Sequence, residues 1–169
     1  MIRILSMTSI LLLSPWSVSA LESDKFQPIQ IQADAAMVDE AAGTSVYRGD
    51  VVIEQGTLSV TADEVDIISS ESEVIQITAK AGKKPGALAH YDQQINAEGD
   101  RVSAEARKIT YLIQEKRLHL SGNARLQQVD DIFTGELLYY DLEKGVVNLS
   151  SGKTSNRVNM TIKPRKSDP

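Results

Sequence analysis

Apolar and polar residues alternate along most of this chain. Ile29-Gln30-Ile31-Gln32-Ala33 sets the pattern. It returns in Val51 and Ile53; in Leu58, Val60 and Ala62; in Val65 and Ile67; and in Ile75, Ile77 and Ala79. A second series follows in Ile109, Tyr111 and Ile113; Leu118 and Leu120; Ala124 and Leu126; Leu138, Tyr140 and Leu142; and Val158, Met160 and Ile162. A period of two places successive side chains on opposite faces of a strand, so each run predicts a half-buried β-strand. Turn residues separate the runs: Ala42-Gly43, Gln55-Gly56, Ser69-Ser70-Glu71-Ser72, Gly82 to Gly86, Glu98-Gly99-Asp100, Lys144-Gly145 and Ser151-Gly152. Neither Glu64 to Ile67 nor Ala104 to Ile109 sustains an apolar stripe at helical spacing. The pattern predicts an all-β meander, sandwich or jelly roll.

The pattern also repeats. Slid by 73 residues without a gap, residues 33–67 fall on 106–140. Gly49 then meets Gly122, Asp50 meets Asn123, Ile53 meets Leu126 and Val60 meets Phe133. Asp63 meets Glu136 and Val65 meets Leu138. Strand parity is kept throughout. Both copies take an odd step between apolar positions, from Ala62 to Val65 and from Gly135 to Leu138. Such a step predicts a bulge or tight bend. The repeat implies two similar layers of antiparallel strands stacked along one axis.

The first twenty residues are set apart. Arg3 precedes a mostly apolar run from Ile4 to Leu13, Pro15 breaks it, and Val18-Ser19-Ala20 has the small-residue pattern of a signal-peptidase site. The run is shorter than the roughly 20 apolar residues a spanning helix needs. Residues 1–20 are therefore expected to be a cleaved export signal, residues 21–163 one β domain, and 164–169 a flexible basic tail. Composition sharpens this. The 169 residues include no Cys, which excludes a disulfide, a thiolate metal site, a cysteine nucleophile and an acylated lipoprotein anchor. The net charge is −5, and losing the leader removes only Arg3, so the exported chain is one unit more acidic. An acidic chain is a poor binder of nucleic acid. Aromatics make up 5%, so aliphatic side chains must supply most of the core. Basic residues gather at the end, as Lys153, Arg157, Lys163, Arg165 and Lys166. That tail suits lipid phosphates or an acidic surface, or is simply solvated.

Four segments in order carry a family resemblance: Gln27-Pro28-Ile29-Gln30-Ile31-Gln32-Ala33-Asp34; Tyr47-Arg48-Gly49-Asp50-Val51-Val52-Ile53-Glu54-Gln55-Gly56; Ala62-Asp63-Glu64-Val65; and Leu120-Ser121-Gly122-Asn123-Ala124-Arg125-Leu126-Gln127-Gln128. Following an export signal, they resemble the OstA-like family of periplasmic lipopolysaccharide-transport proteins over roughly residues 26–162. The resemblance implies an open, twisted antiparallel β-jelly roll built from stacked short strands. It implies a periplasmic protein that stacks head to tail with further copies. An inner-membrane LptC-like partner and an outer-membrane LptD-like partner would sit at the ends of such a bridge, with lipopolysaccharide (its lipid A) as cargo.

The residues fit that role on their own terms. Alternating strands supply one continuous aliphatic face, and burying hydrocarbon is worth about 0.8 kcal/mol per CH₂. Expected to line an acyl-chain groove are Ile29, Ile31, Val51, Ile53, Val60, Val65, Ile77, Ile109, Tyr111, Leu126, Phe133 and Leu138. The alternative is that they pack only against each other. Terminal strands carry free backbone donors and acceptors. Gln30, Ile31, Gln32 and Ala33 at one end, with Val158, Met160 and Ile162 at the other, are expected to form the joining edges. Catalytic motifs are missing. His90 and His119 lack metal-ligand spacing, and Gly152-Lys153-Thr154 lacks the upstream Gly of a phosphate loop, with Val147 in its place. The acidic clusters Asp63-Glu64-Asp66 and Asp130-Asp131 lack calcium-loop spacing. No cofactor, metal or catalytic residue is expected. A stand-alone lipid carrier, or less readily a carbohydrate-active enzyme on a β scaffold, remain the alternatives.

Overall fold

A computed structural model describes residues 24, 26–152 and 157–163. The expected leader and the 164–169 tail lie outside the described residues. The described residues form twelve antiparallel strands in one hydrogen-bonded network. They are β1 (Gln30–Gln32), β2 (Ala35–Asp39), β3 (Thr44–Gln55), β4 (Leu58–Ser70), β5 (Glu73–Lys80), β6 (Ala89–Gln94), β7 (Arg101–Ala106), β8 (Lys108–Leu112), β9 (Arg117–Gln128), β10 (Asp131–Asp141), β11 (Val146–Ser150) and β12 (Asn159–Thr161). The all-β antiparallel expectation holds, and no helix among the described residues is long and apolar enough to cross a membrane.

The four long strands belong to two faces at once. β4 pairs with β5 through residues 64–70 but with β6 through residues 59–61. β9 pairs with β8 through 117–121 and with β7 through 125–128. β3 and β10 divide their free sides in the same way, between β1 and β2 and between β11 and β12. One face therefore runs β2-β3-β4-β5-β8-β9-β10-β11, and the other β1-β3-β4-β6-β7-β9-β10-β12. Long strands that change partners at a bulge are how a sheet turns a corner.

Both corners sit where the odd steps predicted them. The β3–β4 register slips between Arg48 and Val51, so Gly49 and Asp50 together oppose Asp63. The β9–β10 register slips between its counterparts, where Gly122 and Asn123 oppose Glu136. All four bulge residues have positive φ: 81° and 40° in the first copy, 80° and 52° in the second. Glycine occupies that region freely, and Asp and Asn tolerate it better than other residues. At each corner the crossing residue is tied to the bulge. Asp34 N–H donates to the Gly49 carbonyl at 3.1 Å, and Arg107 N–H to the Gly122 carbonyl at 2.8 Å.

The 73-residue repeat is thus structural. β2 and β3 map onto β8 and β9 residue for residue. The pairs Ile31–Ile53, Ala35–Arg48 and Val51–Ala62 return as Ala104–Leu126, Lys108–Ser121 and Ala124–Gly135. Each repeat is a six-strand layer that serves both faces. The two layers are joined by β5–β8 on one face and β6–β7 on the other.

β6 and β7 are strands that apolar alternation does not announce. Their inward positions are Ala89, Tyr91 and Gln93, and Val102, Ala104 and Ala106. Alanine and glutamine there alternate in burial without alternating in bulk.

Candidate lipid interior and its free edges

The inner surfaces of the two faces meet in one aliphatic core. Of the twelve expected groove residues, ten are buried in it: Val51, Ile53, Val60, Val65, Ile77, Ile109, Tyr111, Leu126, Phe133 and Leu138. Ile29 and Ile31 are partly buried and pack against it. The buried residues that were not among the expected twelve include Leu118, Leu120, Tyr91 and Tyr140, on the same inner surfaces.

Cross-strand register arranges these side chains in rows. One row crosses a whole face as Ile31–Ile53–Val60–Tyr91–Ala104–Leu126–Phe133–Met160, each residue directly opposite the next. On the other face Ile67–Ile77–Tyr111–Leu118–Tyr140–Val147 forms a parallel row. Each pair of directly opposed apolar side chains stabilises its strand pairing by about 0.2–1 kcal/mol. Tyr91 and Tyr111 connect the faces edge to face, with ring centroids 5.4 Å apart.

A polar seam lies within this interior. Asp24 is buried and accepts the Thr57 hydroxyl. The Gln93 amide approaches the same carboxylate at 3.5 Å, and its carbonyl accepts the Tyr91 hydroxyl. Burial pushes the phenols of Tyr91 and Tyr111 above their ordinary value, and that of Tyr140 up to about 12, so all three keep their protons at neutral pH.

The free edges differ from the interior in exposure. Among the described residues, β1 and β2 have no neighbour on one side, and neither do β11 and β12. The exposed large apolar side chains include Met37 and Val38 of β2, Val146 of β11, and Val158, Met160 and Ile162 in and around β12. Met160 is 56% exposed and Ile162 63%. The expected edge residues Gln30, Ile31 and Gln32 make up β1, while Ala33 lies one residue beyond it. Sequence reasoning missed β2 and β11 as edges. The repeat carried the signal, since β2 is the counterpart of β8, which is paired on both sides.

The polar motifs set aside in the sequence are structural. Glu64 pairs with Arg48 at 2.7 Å and Lys80 at 2.9 Å, and hydrogen bonds from Lys80 and then Arg48 hold its carboxyl below the usual range. Asp63 accepts the Gly82 N–H at 2.6 Å, and Asp130 pairs with Lys163 at 3.1 Å. His90 lies 3.5 Å from Glu105, and His119 packs edge-on against Tyr139. No cluster of metal-ligating side chains occurs among the described residues. Lys153 and Thr154 of the phosphate-loop-like triplet lie outside them.

Comparison with known proteins gives the same fold and one family. The profile of the family described as "LptA/(LptD N-terminal domain) LPS transport protein" matches residues 30–146. The chain is 33% identical over 153 residues to the lipopolysaccharide export system protein LptH of Pseudomonas aeruginosa, covering 87% of this chain and 85% of that one. It is 30% identical over 167 residues to LptA of Haemophilus influenzae, covering 96% and 91%. The crystal structure of LptH, described as the LptA-homologous periplasmic component of the lipopolysaccharide transport device, superposes with a TM-score of 0.73 at 31% identity. That match covers 84% of this chain and 99% of that one. The aliphatic interior and open-ended sheet described above are therefore those of a jelly roll, and the chain belongs to the LptA/LptD N-terminal-domain family of lipopolysaccharide transport proteins.

Proposed function

We propose that this chain is a periplasmic, non-enzymatic component of lipopolysaccharide export that shelters the acyl chains of lipid A between its two faces and passes them from copy to copy. The observation that carries this reading is the apolar row that runs from β1 to β12, strands with one side free among the described residues, beside a second row that reaches the free side of the molecule at Val147 of β11. A core that served the fold alone would be closed at its ends by polar side chains. Here Ile31 and Met160 present the row itself. The interior side chains touch one another in this structure, so acyl chains enter as the faces part. Contacts between protein side chains are then replaced by contacts with hydrocarbon of the same chemistry, which keeps the exchange near balance.

The joint between copies follows from the joint within a copy. Inside the chain, Tyr91 of β6 faces Ala104 of β7, and Ile77 of β5 faces Tyr111 of β8. By their pairing to β10, β12 stands where β6 stands and β11 where β5 stands. The same operation carried across the free edges sets Met160 opposite Ile31, and Val147 opposite Val38, of the next copy. An LptC-like partner would meet one end of the array and an LptD-like partner the other.

The chain has no Cys, so engineered pairs report cleanly. Mixing Ile31→Cys and Met160→Cys proteins under mild oxidation should yield a crosslinked dimer, and the double variant a ladder. A stand-alone carrier would stay monomeric, and absence of any dimer would rule out head-to-tail joining in this register. Photocrosslinking from position 53 or 126 in cells should give a lipopolysaccharide adduct, and failure there would remove the cargo assignment.

A further inference from the structure

The Tyr140 hydroxyl is buried inside the aliphatic interior and has no hydrogen-bond partner among the described residues. The residue is 1% exposed. An unmade bond of this kind costs the fold free energy that phenylalanine, filling the same space, would not. The neighbouring phenols are provided for: Tyr91 donates to Gln93, and the hydroxyls of Tyr91 and Tyr111 interact. Tyr140 sits on β10 between Leu118 of β9 and Val147 of the free strand β11. It is thus one strand in from the open C-terminal end, where a ligand passing between copies must go by. Its two directly opposed neighbours are apolar, and it makes no hydrogen bond to Tyr111, the next phenol along its row.

We propose that Tyr140 is a ligand-binding residue whose hydroxyl donates a hydrogen bond to the carbonyl oxygen of an acyl ester or amide held in the interior. This rests on the acyl-chain reading above and adds to it. The aliphatic rows hold hydrocarbon at any depth, because methylene groups are alike along a chain. A single donor in a low-dielectric interior fixes one point, the carbonyl, and so sets how far the chain is drawn in. Tyr140 therefore supplies register to a slot that is otherwise slippery.

Two soluble amphiphiles test this, sucrose monododecanoate and dodecyl maltoside. They share a twelve-carbon tail and a disaccharide head, but only the first carries an ester carbonyl. Binding is read below the micelle threshold by displacement of a polarity-sensitive naphthylamine dye from wild type and Tyr140→Phe. Wild type should prefer the ester by about threefold to tenfold, the range one net hydrogen bond supports. Tyr140→Phe should lose that preference through the ester alone and should melt at or above the wild-type temperature. A preference that survives in the variant, or is missing in wild type while both amphiphiles bind, overturns the assignment and leaves the slot standing. A lower melting temperature would mean the hydroxyl serves the fold, which also overturns it. If wild type binds neither amphiphile, the acyl-chain reading fails together with the inference.

Discussion

Single residues fix where the sheet turns. At both corners an added Cβ would meet the crossing residue, 2.7 Å from the Asp34 Cβ for Gly49 and 2.9 Å from the Arg107 Cβ for Gly122. Gly145 has similar positive φ but open space around it. Gly49→Ala and Gly122→Ala should each cost about 1–3 kcal/mol in denaturant unfolding, and Gly145→Ala about 1 kcal/mol or less. Equal losses at all three would show that φ alone matters and the corner contacts do not. Charge acts more weakly. Glu64→Gln should cost under about 1 kcal/mol at neutral pH, as expected for a surface pair. Its folded carboxyl is held low, so the contribution is fully present above the ordinary value of 4.5 and fades as pH falls through the folded value. The stability gap between wild type and variant should therefore close on acidification. The level of each corner was readable from the odd steps Ala62 to Val65 and Gly135 to Leu138, but not that the extra residue sits across from them, at Gly49-Asp50 and Gly122-Asn123. The missing partner of Tyr140 was not readable, because hydrogen bonding there depends on what the fold brings near.

Among the elements, burial and pairing divide the strands into two kinds. Leu126 lies mid-row on β9 and Met160 ends the same row on β12. Leu126→Ala should cost about 2–5 kcal/mol, from lost burial and the cavity left behind. Met160→Ala should move the stability of a dilute copy by no more than about 0.5 kcal/mol, yet weaken self-association in sedimentation. A large stability loss at Met160 would mean that β12 holds its own copy together and is not a joining strand. Legibility followed side-chain bulk. Long strands such as β3, β4, β9 and β10 alternate large aliphatic and polar residues, and their periods stood out. β6 and β7 hide the same alternation behind alanine and glutamine, and β2 leaves both Met37 and Val38 exposed, so burial does not alternate along it.

At the scale of the whole molecule, the described residues form two layers of one design in tandem, and no strand among them caps either end of the stack. The family, the fold class and the repeat were all present in the order of residues. The free edges of β2 and β11 follow only when the repeat is carried through to the last unpaired strand. Under the proposed assembly, the covalent junction inside a copy and the joint between copies have the same construction. Each layer adds four strands per face at about 4.8 Å spacing, so the pattern recurs about every 19 Å along the stack. The aliphatic part of the free-energy profile that a passenger meets along such an array then ripples with the period of half a protein, while the Tyr140 donor, whose first-layer counterpart is Ile67, recurs once per chain. The hydrocarbon therefore finds the boundary between chains no rougher than their midpoints, and the stops along the track are spaced by whole molecules.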